Sequence, residues 1–339
     1  MMNKLNFLVS LTTNDNDYQL EQAKAAEEAA QRLGVAVQII YAGNDAITQS
    51  QQLLSVIQSS AHHPDGIVVE PAGGTAFPHV ARAAVAAGIG WGILNREADY
   101  VTDLRRISKV PVYGVTSNHL DVGRIQGRQV GALVPKGGTA IYIQGPTTVA
   151  AAKYRTLGIE QTKPANVNLI QFKGNWTSES AYKTIASWMQ LSTSKNTLID
   201  MVCAQNDDMA MGARKAIQEH ADPKVRDKWL HVPFTGCDGL PTTGQAYVRS
   251  GLLAATVVIP PNTPKAIEVM AEALRTGKQP NELTATSPAS MPAIEELAAW
   301  HRKTRLASGD PPSKPPSFAE DSDAIPADRS RPFAGRITR

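Results

Sequence analysis

Asn206 and Asp238 are the residues of this chain best placed to do chemistry, because each follows a short apolar run and precedes a turn or helix start. The runs are Leu198–Ala204 and Val232–Gly236. In an open parallel sheet, residues just past the carboxyl ends of the strands are the ones that meet a ligand. A carboxylate with two acceptor oxygens suits two adjacent hydroxyls, and charge-assisted hydrogen bonds are the stronger kind. Asn16 and Tyr18 follow Leu5–Leu11 in the same way, and Asn95 and Arg96 follow Trp91–Leu94. Trp176 lies in the polar stretch Gly174-Asn175-Trp176-Thr177-Ser178, which suits a loop. An aromatic can cover an apolar face of a bound molecule, while amides and charges serve its polar groups. Each position has a plainer alternative. Asn14, Asp15, Asn16 and Asp17 also suit the cap of the next helix. An Asn-Arg pair alone in a loop carries no assignment, and a tryptophan can be core.

Other chemistries lack their parts. Gly88-Ile89-Gly90-Trp91-Gly92 is glycine-rich but precedes a strand, so it is not a dinucleotide fingerprint. Gly73-Gly74 reads as a turn, and His62-His63 has no accompanying metal-ligand spacing. No nucleophile elbow or acid–base constellation stands out. The expectation is a binding protein, not an enzyme, with no metal and no cofactor.

Strand-like and helix-like segments alternate to hold these positions. Leu5–Leu11, Val35–Tyr41, Gly66–Val69 and Trp91–Leu94 read as strands. Tyr18–Leu33, stopped by Gly34, Ile47–Ser60 and His79–Ala87 read as the helices between them. The alternation then restarts. Val122–Leu133, Val149–Glu160, Glu179–Gln190 and Ala210–His220 are helical, around strands at Gly138–Gln144, Asn168–Phe172, Leu198–Ala204 and Val232–Gly236. Such alternation means an α/β fold of doubly wound parallel sheets, here in two Rossmann-like lobes.

With 339 residues, 42% of them hydrophobic, the chain can fill two such cores. Lys+Arg 34 against Asp+Glu 31 leaves a net charge of +3, without the basic footprint of a nucleic-acid partner. Cys203 and Cys237 lie in apolar stretches and read as buried thiols. Met1–Lys4 runs directly into the first strand, without the basic start, apolar run and cleavage site of a secretory signal. The expectation is a cytoplasmic protein as encoded, or a periplasmic one if translation starts upstream. No apolar stretch approaches the roughly 18 residues of a membrane span. From Leu306 onward Pro, Ser, Asp and Arg dominate, which predicts disorder across 306–339.

Val9–Gly34, Gly66–Pro71, Leu94–Arg96, Ala204–Ala213, Gly236–Gly239 and Gly251–Thr256 occur in order and at suitable spacing. Together they resemble the type I periplasmic sugar-binding proteins, nearest their ribose-binding branch, over about residues 4 to 295. The resemblance implies two lobes joined by three crossings, placed near Ser117-Asn118, Ile259-Pro260 and Thr284. The first lobe is then 4–117 with 260–283, and the second 118–259 with 284–300. It implies a monomer that closes on a sugar or polyol and hands it to the membrane permease of an ATP-driven importer. A leaderless sensor feeding a signalling protein is the alternative. A repressor core is less favoured, since too few residues precede the first strand for a DNA-binding domain. Asn16, Tyr18, Asn95, Arg96, Lys153, Arg155, Trp176, Asn206, Asp238 and Ile259 match the ligand-contacting positions of the family. Asn95 stands for a family Asp, Lys153 for an Arg and Ile259 for a Gln. If all three line the pocket, a ribose-type network loses partners, so ribose is expected not to be the preferred ligand.

Overall fold

The computed structural model describes residues 4–59, 63–72, 77–96, 98–195 and 197–299. Gly73-Gly74, His62 and the tail from Leu306 lie outside the described residues. The first lobe opens with β1 (Asn6–Leu11), α1 (Asp17–Leu33), β2 (Ala36–Tyr41), α2 (Ala46–Ile57) and β3 (Gly66–Val69). It continues with α3 (Pro78–Ala86), β4 (Gly90–Leu94), α4 (Tyr100–Ile107) and β5 (Val112–Ser117). The second lobe holds α5 (His119–Leu133), β6 (Gly138–Gln144), α6 (Ala150–Thr162), β7 (Val167–Lys173), α7 (Ser178–Met189) and α8 (Ser192–Lys195). Then come β8 (Met201–Ala204), α9 (Asp207–Gln218), α10 (Pro223–Leu230), β9 (Phe234–Thr235), α11 (Gly244–Arg249) and β10 (Thr256–Val258). The chain returns to the first lobe for α12 (Thr263–Thr276) and β11 (Leu283–Thr286), and β12 (Ala289–Met291) pairs antiparallel with β10.

The first sheet runs β11-β5-β4-β3-β1-β2 and the second β7-β6-β8-β9, parallel throughout. β3 and β4 are buried along their whole length, as strands covered by helices on both faces must be. Phe7, Val9, Ala26 and Met270 fill one side of the first sheet, and Leu8, Ile67, Val80 and Trp91 the other. Ile141, Ile185, Met209 and Trp229 cover one side of the second, and Val130, Tyr142, Ile159 and Met201 the other. Cys203 and Cys237 are buried free thiols.

The chain crosses between sheets at Asn118, at 259–262 and at 287–288. The third crossing falls after Thr286 rather than at Thr284. Leu283–Thr286 is the edge strand of the first sheet, in register with Gly114–Ser117 of β5, so 284–286 belong to the first lobe. The strand read at Val232–Gly236 is ladder-paired only over Phe234–Thr235.

Candidate functional site

β1 is flanked by β2 on one side and β3 on the other, and β6 by β7 and β8. Both sheets therefore reverse their winding at β1 and β6, and a crevice opens past the carboxyl ends there. The two crevices face each other across a cleft of about 300 Å³.

Asn16, Tyr18, Glu70, Asn95 and Arg96 line it from the first lobe. Asn16 caps α1, its Oδ1 accepting from Gln19 N at 2.9 Å, so helix capping and the cleft share one side chain. Glu70 follows β3 directly. Gln19 Nε2 donates to its carboxylate at 3.0 Å, and the Asn95 amide also bonds it. Burial nevertheless raises the Glu70 carboxyl above its ordinary value, against those hydrogen bonds and the Arg96 charge. Asn95 adopts φ +56°, and its Nδ2 lies 3.5 Å from Tyr18 Oη. Burial, then Glu70 and Asp238, hold the Tyr18 phenol protonated.

Arg155, Trp176, Asn206, Asp207, Asp208 and Asp238 line the opposite wall. Asn206 caps α9: Oδ1 accepts from Met209 N at 2.9 Å, while Nδ2 donates to Trp176 O at 2.9 Å. One amide thus starts a helix and anchors the backbone of the neighbouring aromatic, which sits at φ +62°. Gly145 backs the Trp176 ring so closely that a Cβ there would lie inside it. Arg155 is 6% exposed, with its guanidinium 5.4 Å from the Trp176 ring centre and 3.8 Å from Asp238 Oδ1. It also donates to the Gln205 carbonyl. Asp238 adopts φ +100°, a conformation in which a non-glycine residue is strained. Asp207 holds that loop, its carboxylate accepting from Gly239 N at 2.8 Å and Thr256 Oγ1 at 2.7 Å. Burial first, then Asp238, raise Asp207 well above the carboxylate range.

Two residues that the resemblance put in the pocket lie elsewhere. Lys153 is exposed and is absent from the cleft lining. It sits two positions before Arg155 on α6, and residues i and i+2 of a helix face opposite ways, so only one can reach the cleft. Ile259 is 2% exposed and packs with Val122, Ile125, Cys237 and Val257 beneath the crossings. The expectation that ribose is not preferred therefore keeps only Asn95 of its three supports, and Glu70 supplies a carboxylate beside it. Glu70 was not among the sequence candidates, although it directly follows a four-residue apolar strand. His119 was also missed. It lines the cleft at the first crossing, and among the described residues neither ring nitrogen has a hydrogen-bond partner. Burial, then Arg155 and Arg96, push its imidazole down to about 3, so it is neutral.

Burial raises Asp238 to about 7, Arg155 pulling against it and Asp208 adding to the rise. A carboxyl with a folded value above its unfolded one binds its proton more tightly when folded. Its stabilising share is complete below about pH 4 and is lost as pH rises toward 7. The stability difference between wild type and Asp238→Asn should therefore shift against the wild type as pH rises from 4.5 to 7.5. Urea midpoints without ligand measure it, and a constant difference would remove the assignment.

A family model for the periplasmic binding protein domain matches residues 7–279. A putative rhizopine-binding protein of Rhizobium meliloti is 28% identical over 215 residues, 62% of this chain and 66% of the relative, just under two thirds of its length. A ribose import binding protein of Escherichia coli (strain K12) is 24% identical over 249 residues, 73% of this chain and 76% of the relative. Among solved structures, an ABC transporter periplasmic solute binding protein from Actinobacillus succinogenes 130z with bound D-allose superposes with a TM-score of 0.73. That likeness covers 88% of this chain and 100% of the other at 20% identity, and it speaks to the fold. With two parallel-sheet lobes, three crossings and a family match over most of its length, the chain belongs to the periplasmic binding protein family, in its type I form.

Proposed function

We propose that this chain binds a small carbohydrate or polyol between its lobes, closing over it, as the substrate-binding component of an ABC-type sugar importer. One observation carries this reading. Two walls from different lobes meet across one cleft, each with an aromatic, an amide and a carboxylate, and Arg96 and Arg155 add a cation to each wall. Hydroxyls need donors and acceptors in alternation, and rings need a flat apolar surface. The names of the relatives support the same class, and the role is binding rather than catalysis.

A ligand that binds only the folded state raises its apparent stability. Thermal shifts with D-ribose, D-allose, xylitol and myo-inositol sample a pentose, a hexose, an open-chain polyol and a cyclic polyol. At least one should raise Tm, and the same compound should shrink the radius of gyration in solution scattering as the lobes close. A Tm rise at constant radius would end the closure model. No shift with any of the four would tell against the ligand class. Trp176→Ala should weaken the best of them by roughly 1–3 kcal/mol, the scale of a lost stacking platform. Wild-type affinity in that variant would remove Trp176 from the site. The readout is the finer part of the proposal. Delivery to a permease requires the protein outside the inner membrane, whereas fractionation with cytoplasmic markers would favour a signalling partner.

A further inference from the structure

Asn262 is fully buried at the second crossing and is absent from the cleft lining. Its hydrogen bonds nonetheless gather all three crossings. Nδ2 donates to Ser117 Oγ at 3.0 Å, one residue before the first crossing. Oδ1 accepts from Thr286 Oγ1 at 2.8 Å, the last residue before the third. Nδ2 also donates to Oδ1 of Asn95, which does line the cleft. The next residue, Thr263, is bonded through its N and Oγ1 to Gln22, and Gln22 Nε2 donates to Tyr18 Oη at 3.0 Å.

These bonds have a direction. Thr286 donates to Asn262, Asn262 donates to Asn95, and Asn95 donates to Glu70. The Gln19 and Asn95 amides both donate to the Glu70 carboxyl, so Glu70 sets the sense of the row. If the Asn262 amide were reversed, Asn95 would have to reverse with it and turn its oxygen toward the Glu70 carboxylate. In a desolvated site that leaves two acceptors opposed, a costly arrangement.

We infer that Asn262 is a positioning residue: it ties the three interlobe crossings to the cleft and orients the Asn95 amide so that its donor edge faces Glu70 and Tyr18 in the cleft wall. Closure bends the backbone at those crossings. A ligand hydroxyl taken up by Asn95 or Glu70 therefore bears on the hinge through a chain of direct hydrogen bonds.

The inference rests on the sugar or polyol reading for its binding arm, but its first test needs no ligand. In ¹H–¹⁵N spectra of the full chain, Asn262→Asp keeps the side-chain shape, removes the donor and should move the Asn95 side-chain amide signal. Exchange of that amide should quicken by about tenfold, the scale of one lost hydrogen bond. Glu70→Gln, at the other end of the row, should move the Asn262 amide signal. This second variant decides the matter if Asn262→Asp does not fold. Unmoved signals in both variants would overturn the inference. In the binding arm, calorimetry with D-ribose, D-allose, xylitol and myo-inositol should show Asn262→Ala weakening whichever binds by about tenfold or more. In an Asn95→Ala background the same change should cost less than about threefold, because Asn262 acts through Asn95. Equal losses in both backgrounds would show a merely structural role and overturn it. Silence from all four compounds on the wild type would count against the sugar reading and leave the spectra to decide this one.

Discussion

Arg155→Leu is expected to lose ligand binding by a hundredfold or more. The buried guanidinium touches several groups of the second wall at once: the Trp176 ring, Asp238 and the Gln205 carbonyl. Its loss strips the Asp238 carboxyl of the largest influence that lowers its pKa. Asp238 would then hold its proton through neutral pH and stop offering two acceptor oxygens to a pair of hydroxyls. A hydrogen bond to a charged group is worth about 1.5–3 kcal/mol, so losing two of them on Asp238 exceeds the about 2.7 kcal/mol that corresponds to a hundredfold in affinity. Arg155→Lys should fall between wild type and Arg155→Leu, since a lysine keeps the charge but not the planar fork that lies over the tryptophan. Calorimetry on the three proteins with the best compound of the panel makes the comparison. Affinity within threefold of wild type in Arg155→Leu would show that the guanidinium serves only the fold.

The first lobe and most of the cleft were legible in the chain because strand ends announce themselves. An apolar run followed by a polar residue marks Asn16, Asn95, Asn206 and Asp238, and each lines the cleft. The same rule applied to Gly66–Val69 selects Glu70. The resemblance points instead to the residue after the next strand, where the family carries its carboxylate. Lys153 and Arg155 illustrate a different limit. Matching a motif fixes a position along the chain, whereas a two-residue step on a helix fixes which side chain turns inward. Ile259 shows a third. A residue at a lobe crossing can pack beneath the cleft instead of opening into it, and only the fold brings Val122, Ile125, Cys237 and Val257 around it. The edge strand at Leu283–Thr286 has an alternating, half-exposed pattern and draws its pairing from β5, some 170 residues earlier, so nothing local marks it. The order of donors and acceptors through Thr286, Asn262, Asn95 and Glu70 is likewise a property of the assembled lobe. No spacing along the sequence encodes it.

The largest effect on stability is expected from a residue without a side chain. Gly123, Gly127 and Gly131 stand four apart on α5, so they share one face of it. Glycine inside a helix costs about 1 kcal/mol relative to alanine, and a row of them needs a reason. The reason at two of them is the approach of α6. A Cβ on Gly123 would collide with the backbone of Arg155, reaching its carbonyl carbon and Cα at 2.8 and 2.9 Å and its oxygen closer still. A Cβ on Gly127 would lie 2.8 Å from Lys163 N and 2.9 Å from Ile159 O. Gly158 on α6 returns the contact: a Cβ there would lie 2.7 Å from Arg124 N. Backbone cannot step aside as a side chain can. Gly123→Ala must therefore push the helices apart, at about 3 kcal/mol or more once overpacking is counted. The residue pushed is Arg155, so the same substitution should carry its guanidinium away from Trp176 and Asp238 and weaken ligand binding as well. Gly131→Ala is the control on the same face. Its Cβ meets only the Pro164 ring, at 3.3 and 3.6 Å, and the gain in helix propensity offsets that pressure. Urea midpoints should thus fall sharply for Gly123→Ala and stay within about 1 kcal/mol of wild type for Gly131→Ala. Equal, small changes in both would mean that α5 and α6 do not touch backbone to backbone, and that Arg155 owes its place in the cleft to something else.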